Sequence, residues 1–220
     1  MKIELRTFDS RKSWEKARRG TIGGSDAAAA LGLSPWKTNV QLWEELTGRR
    51  EPEDISNNPA VRYGSEAEKH IRSLFHLDYP ELRVEYDGNA FWVNDKYPFA
   101  HASVDGRLFD AADSPGILEI KTTTINSKIQ LQHFNDQLPV NYYVQVLYYM
   151  AILDAVFAIV CVQLTFPAIR GGMMHKETRH YFLRRHEVKD DIKYVMDGVA
   201  EFYYKYVAPD TPPPLKLPEI

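Results

Sequence analysis

Apolar residues recur at helical spacing in three stretches of this chain. Val40, Leu42, Trp43 and Leu46 predict a helix over Thr38 to Thr47, stopped at Gly48. Val140, Val144, Leu147 and Ala151 form one stripe of a helix that starts after Pro139, and Ile192, Val195, Met196, Val199, Phe202, Tyr203 and Tyr206 mark a closing helix over Val188 to Tyr206. Pro59, suited to a first helical turn, opens another over Ala60 to Leu77. Shorter helices are expected at RKSWEKARR, capped by Ser10 and stopped at Gly20, and over Asp26 to Leu31, capped by Ser25 or Gly24 and ended by Gly32. Ala155 to Thr165 is an almost unbroken apolar run, which predicts a strand at the centre of a sheet. Thr178 to Arg184 returns as a strand with Thr178, His180 and Phe182 on one face. Leu82 to Tyr86 and Ala90 to Val93 are read as two strands around the turn Asp87-Gly88-Asn89.

Two further strands, Ala102 to Phe109 and Gly116 to Thr122, flank the turn-rich segment Asp110 to Pro115. The order of elements predicts an α/β fold with a mixed central sheet flanked by helices. We expect a single domain over residues 1–206, with a proline-rich, extended tail over 207–220 that is either a disordered end or a strap across another subunit.

The central strand pair carries the candidate chemistry. Glu119 and Lys121 are two apart, so both leave the same face of a strand, while Leu118 and Ile120 point to the other. A hard cation such as Mg²⁺ takes oxygen ligands. Asp105, Glu119 and the backbone carbonyl of Ile120 are candidate donors, and Lys121 would stand beside the attacking water, the arrangement that hydrolysis of a phosphodiester requires. The same three side chains also fit a solvent-facing cross-strand ion pair.

Other positions keep two readings. Arg18, Arg19 and the Ser25 hydroxyl beside the glycines at 20, 23 and 24 suit either a phosphate pocket or an ordinary capped helix. Glu68 is a further carboxylate near the metal or a surface residue; Glu66 is expected in solvent. Gln145 is either a partner of Lys121, water or phosphate, or a buried amide satisfied by the backbone. Lys128, Gln132, Arg49 and Arg50 are further phosphate candidates, the two arginines more simply solvated. His101 is read as a structural donor.

Composition narrows the class. The chain has 220 residues, 44% of them hydrophobic, enough to bury a core without staples. Its one cysteine, Cys161, excludes internal disulfides and a four-cysteine metal site within one chain. The first residues lack the apolar centre of a signal peptide and no run is long enough to span a membrane, so we expect a soluble intracellular protein. A net charge of -3 means that any DNA-binding charge must be gathered locally.

The pattern Asp, gap, Glu-x-Lys resembles the PD-(D/E)xK nuclease superfamily, whose core is restriction-endonuclease-like. A longer set of motifs is more specific. WEKARRGTIGGSDAAAALGLSPWKTNVQLWEELTG, the helix motif Gly64 to Glu68, Ser103-Val104-Asp105-Gly106, Glu119-Ile120-Lys121 and Tyr142 to Val146 together resemble the YqaJ-like viral recombinase family, which includes phage lambda-type alkaline exonucleases. The match runs over about residues 14–150.

That resemblance implies a Mg²⁺-dependent 5′-to-3′ exonuclease, with Mn²⁺ as a substitute metal, that digests one strand of linear double-stranded DNA. It implies metal binding by Asp105 and Glu119, assistance from Lys121, Glu68 as a metal ligand or acting through water, placement of these groups by Gln145, and a terminal-phosphate pocket at Arg18 and Ser25. It also implies a homotrimeric ring threaded by DNA, a single-strand annealing partner, and a phage- or prophage-encoded protein working in the cytoplasm of a bacterial host.

Overall fold

A computed structural model of the chain describes residues 1–135, 137–168 and 173–217. In chain order its elements are β1 (Ile3–Thr7), α1 (Arg11–Arg18), α2 (Gly24–Leu31), α3 (Asn39–Leu46), α4 (Pro59–Asp78), β2 (Arg83–Glu85), β3 (Ala90–Asn94), β4 (Gly106–Phe109), β5 (Pro115–Thr124), α5 (Lys128–Gln132), α6 (Val140–Leu153), β6 (Phe157–Phe166), β7 (His175–Arg184) and α7 (Lys189–Phe202), which passes into a π-helical turn at Tyr203–Val207.

Local chemistry accounts for most helix boundaries. The Ser10 hydroxyl accepts the Ser13 N–H at the start of α1, and Thr38 and Gln41 satisfy each other's backbone in a capping box at α3. Asn58 caps α4 with Pro59 in its first turn, and Gly32 ends α2 in the left-handed region at φ 77°. Helix α2 starts at Gly24, two residues earlier than expected: its N-cap is Gly23, and no side chain caps it.

The main sheet has the order β2-β4-β5-β6-β7. Strands β5 and β6 run parallel, joined through α6, and the other pairs are antiparallel. The sheet is therefore mixed, as the sequence predicts. Both of its faces are covered. Leu108, Leu118, Ile120, Ile159 and Cys161 meet Ile71 and Phe75 of α4. Ile117, Ala158, Val160 and Val162 face the larger cluster built with α2, α6 and α7. Each such aliphatic side chain contributes about 1.5–3 kcal/mol on burial.

The pair around Asp87-Gly88-Asn89 departs from expectation. The turn exists, with Gly88 at φ 60°, but the strands on either side are not partners. Strand β2 pairs with β4, while β3 pairs with β1, a strand absent from the sequence reading. The first strand of the central pair is also shorter than expected: it begins at Gly106, so Asp105 stands just before it.

The tail lies against its own chain as far as it is described. Asn39 Nδ2 donates to the Pro214 carbonyl and the Lys216 N–H donates to Asn39 Oδ1, both at 2.8 Å. Arg49 grips Asp210 through both terminal nitrogens, at 2.6 and 2.9 Å, so it is engaged with the tail. The connection between β6 and β7 includes Arg170, which lies outside the described residues. Among the described residues, no helix is long and apolar enough to cross a membrane.

Candidate active site

The alternation of β5 sends Glu119 and Lys121 to the same side, and their charged ends meet: Lys121 Nζ is 2.7 Å from Glu119 Oε1. This is a buried pair rather than a solvent-facing one. Glu119 is 3% exposed. From α6, across that face of the sheet, Gln145 Nε2 donates to the same Glu119 oxygen at 2.7 Å and to Tyr149 Oη at 3.1 Å. The amide of Gln145 is thus spent on side chains, not on backbone.

Asp105 reaches the same place from the turn before β4. Its Oδ2 accepts the Ile120 N–H at 2.7 Å, and its own carbonyl accepts from Arg72 Nε at 2.6 Å. Arg72 stands one helical turn after Glu68 on α4, stacked 3.7 Å over the Tyr86 ring. Gly64, a turn before Glu68, lets α4 come close to β5: a Cβ there would lie 3.2 Å from Thr122 Oγ1. Glu68 is half-buried and Glu66 exposed, as expected.

The electrostatics are those of acids crowded out of water. Burial, reinforced by Asp105, pushes Glu119 up to about 8 against the pull of Lys121. Burial followed by the field of Asp105 pushes Glu68 up to about 7. Burial also raises Asp105, outweighing Lys121 and the Ile120 N–H. Burial alone would lower Lys121, but Glu119 and Asp105 overcome it and hold its ammonium charged.

One feature of this set calls for a cation. Glu119 Oε2 is buried with no hydrogen-bond partner, a situation that costs several kcal/mol per ion unless an opposite charge offsets it. The donor set of Asp105, Glu119 and the Ile120 carbonyl is all oxygen and suits a hard divalent cation. Among the described residues, no three His, Cys, Asp or Glu side chains are grouped as metal ligands.

Arg18 is the last residue of α1. Its guanidinium stacks 4.1 Å over Trp14, one turn earlier, and its Nε donates to His101 Nε2 at 2.7 Å. The W-x-x-x-R spacing is what brings ring and guanidinium together. Arg19 instead points to the surface and pairs with Glu51 at 3.2 Å. Nη2 of Arg18 overlies Gly23, where an added Cβ would come within 3.1 Å of it. Ser25 is exposed in the first turn of α2. Lys128 and Gln132 lie on the short, surface helix α5.

The YqaJ-like viral recombinase domain matches residues 13–156. The chain belongs to this family. The family region therefore contains every candidate side chain above, from Trp14 to Tyr149. The uncharacterized protein YqaJ of Bacillus subtilis (strain 168) is 35% identical over 146 residues, which are 66% of this chain and 43% of that protein. The chain thus spans less than half of that relative's length. Among solved structures, an alkaline exonuclease (LHK-Exo) from Laribacter hongkongensis superposes with a TM-score of 0.59 at 16% identity, over 88% of this chain and 93% of that one. A phage related exonuclease from Haemophilus somnus 129PT gives a TM-score of 0.53 at 13% identity, over 86% and 96%. The YqaJ-like chain shares their nuclease fold.

Sequence reasoning missed Arg72 and gave Tyr149 no role beyond core packing. Each stands one helical turn after a residue it did single out, Glu68 and Gln145, and that spacing is the signal that was present. His101 was seen only as a donor; its Nε2 accepts.

Proposed function

We propose that this YqaJ-like chain is a divalent-metal-dependent exonuclease that digests one strand of linear double-stranded DNA from its 5′ end and leaves 3′ single-stranded tails. The observation that carries this reading is the buried Glu119, which feels both Lys121 and Asp105, with Oε1 held by Lys121 and Oε2 left without a protein partner. The family and the shared fold support it.

Asp105, Glu119 and the Ile120 carbonyl hold the metal, Mg²⁺ or Mn²⁺. A bound cation of this kind acts as a Lewis acid toward the phosphate and favours loss of a proton from water. Lys121, held charged at 2.7 Å from Glu119, donates to the attacking water or to a phosphate oxygen. Gln145 fixes the rotamer of Glu119, and Arg72 fixes the backbone of Asp105. Glu68, nearly as ready to hold a proton as to lose one at neutral pH, binds a second metal or a water. Arg18 and Ser25, at the mouth of α2, take the terminal 5′-phosphate, which sets the direction of digestion.

Assembly as a homotrimeric ring threaded by DNA, and delivery of the tails to a single-strand annealing protein in the bacterial cytoplasm, complete the reading for a phage-encoded recombinase. The test is incubation with Mg²⁺ and linear duplexes labelled at either end, beside a closed circle. Stepwise release from 5′ ends with the circle left intact is expected. Cutting of the circle would make the protein an endonuclease, and no cutting at all a silent end-binding module.

A further inference from the structure

The direct contacts of the Arg18 guanidinium are with neutral groups, and Asp26 and Glu15 act on it only through space. Its neighbours Arg11 and Arg19 pair with Glu15 at 2.9 Å and Glu51 at 3.2 Å, whereas Arg18 makes no salt bridge among the described residues. It rests on the Trp14 ring and on His101, which is 2% exposed.

The hydrogen bonds assign the tautomer. Because Arg18 Nε donates to His101 Nε2, that nitrogen carries no proton, and the imidazole proton is on Nδ1. Nδ1 donates to Thr21 Oγ1 at 2.9 Å, and the Thr21 hydroxyl donates to the Arg18 carbonyl at 2.9 Å. The chain of bonds closes on the residue where it began. It uses the arginine through Nε and leaves both terminal amino groups outside the loop, Nη2 over Gly23 at the start of α2.

We propose that His101 is a positioning residue that aims the Arg18 guanidinium at an anionic group, the terminal phosphate of a DNA strand, without neutralising it. This rests on the assignment of the phosphate pocket to Arg18. A carboxylate at this position would accept from Nε equally well, but its charge would cancel that of the arginine and weaken its hold on phosphate. A charged imidazolium would donate instead of accept, and would face a like charge. Burial, followed by Arg18 itself, pushes His101 down to about 3, which keeps the ring neutral. Gly23 belongs to the same device, since a Cβ there would lie 2.9 Å from His101 Nε2.

The experiment compares initial rates on 5′-phosphorylated and 5′-hydroxyl duplexes for Arg18→Ala, His101→Leu, His101→Gln and Thr21→Val, with thermal melts of each. His101→Leu is expected to cut the preference for phosphate by about tenfold, because a bond to a charged group is lost. His101→Gln, which restores an acceptor, should keep most of it. Thr21→Val, which removes the partner of Nδ1 but leaves the core intact, should lower it about threefold and serves if His101→Leu does not fold. Wild-type preference in His101→Leu or in Thr21→Val, or equal loss in the leucine and glutamine variants, would overturn the positioning role while Arg18→Ala still abolished the preference. Wild-type preference in Arg18→Ala would overturn the phosphate pocket itself.

Discussion

Gln145 and Glu119 meet at 2.7 Å across the space between helix α6 and strand β5, the amide donating to the carboxylate oxygen that Lys121 also holds. Two donors on one oxygen leave the second oxygen as the free ligand. Replacing Gln145 by leucine keeps the volume and removes one donor. A hydrogen bond to a charged group is worth about 1.5–3 kcal/mol, so we expect hydrolysis to slow by about 10- to 100-fold while the melting temperature changes little. Rates on a labelled linear duplex check this, and an unaltered rate would show that the amide does not place the carboxylate.

Lys121 forms an ion pair with Glu119, one of the candidate carboxylate ligands. Lys121→Ala removes it but leaves the metal donors in place. Burial already favours a proton on Glu119, so the buried carboxyl can take one up and the fold survives. Duplex binding in gel shifts should persist and hydrolysis should fall at least ~100-fold, the scale of a lost proton-transfer or electrostatic group. Retained hydrolysis would remove Lys121 from the chemistry.

How much of this was legible beforehand depended on how local the signal is. Glu119 and Lys121 were legible because a two-residue period fixes which side chains share a face of a strand. The cap at Ser10 lies within three residues of what it bonds, and it too was legible, whereas Thr38, read as the first residue of its helix, is the cap of α3. The bond from Arg72 to the Asp105 carbonyl spans 33 positions and that from Arg18 to His101 spans 83, and no periodicity encodes such pairings. Asp87-Gly88-Asn89 misled for a related reason. Turn chemistry specifies that the chain reverses, not that the flanking strands bond to each other, and here they join different sheets. The assignment of Gln145 was open in sequence because a buried amide is satisfied equally well by backbone or by side chain; only the fold sets Glu119 against it.

His101 gives a pH dependence with a definite sign. In the unfolded chain it titrates near 6.5; in the fold, burial and then Arg18 push it down to about 3. Arg18 is the charged group that faces it. Phe91 packs on the ring, and the nearby Tyr148 hydroxyl, raised by burial, stays neutral throughout. A depressed histidine means that the unfolded state binds more protons, so stability rises with pH across this window and is lost as pH falls from 6.5 toward 3. Between pH 6.5 and 5 the loss from this residue is about 1.6 kcal/mol. Urea melts of wild type and His101→Gln over that range should diverge in slope, the variant being flatter. Parallel slopes would mean that the imidazole is protonated in the folded protein.

Two glycines near the site differ in what surrounds them, and substitution separates them. A Cβ on Gly24 would lie 2.2 Å from Tyr149 Cε1 and 2.5 Å from Cζ, ring atoms fixed in a buried aromatic. Gly24→Ala therefore forces helix α2 and the ring apart, at a cost of about 1–3 kcal/mol for an overpacked core. Because Tyr149 accepts from Gln145, the displacement should also reach Glu119 and slow hydrolysis. A Cβ on Gly64 would meet only Thr122 Oγ1, at 3.2 Å, and a hydroxyl on a surface-side threonine can rotate away. Helix α4 would also gain up to about 1 kcal/mol from alanine in its interior. Gly64→Ala should therefore change stability by less than about 1 kcal/mol. Urea midpoints of the two variants test the contrast. Equal midpoints would show that α2 does not press on Tyr149 as tightly as the structure places it.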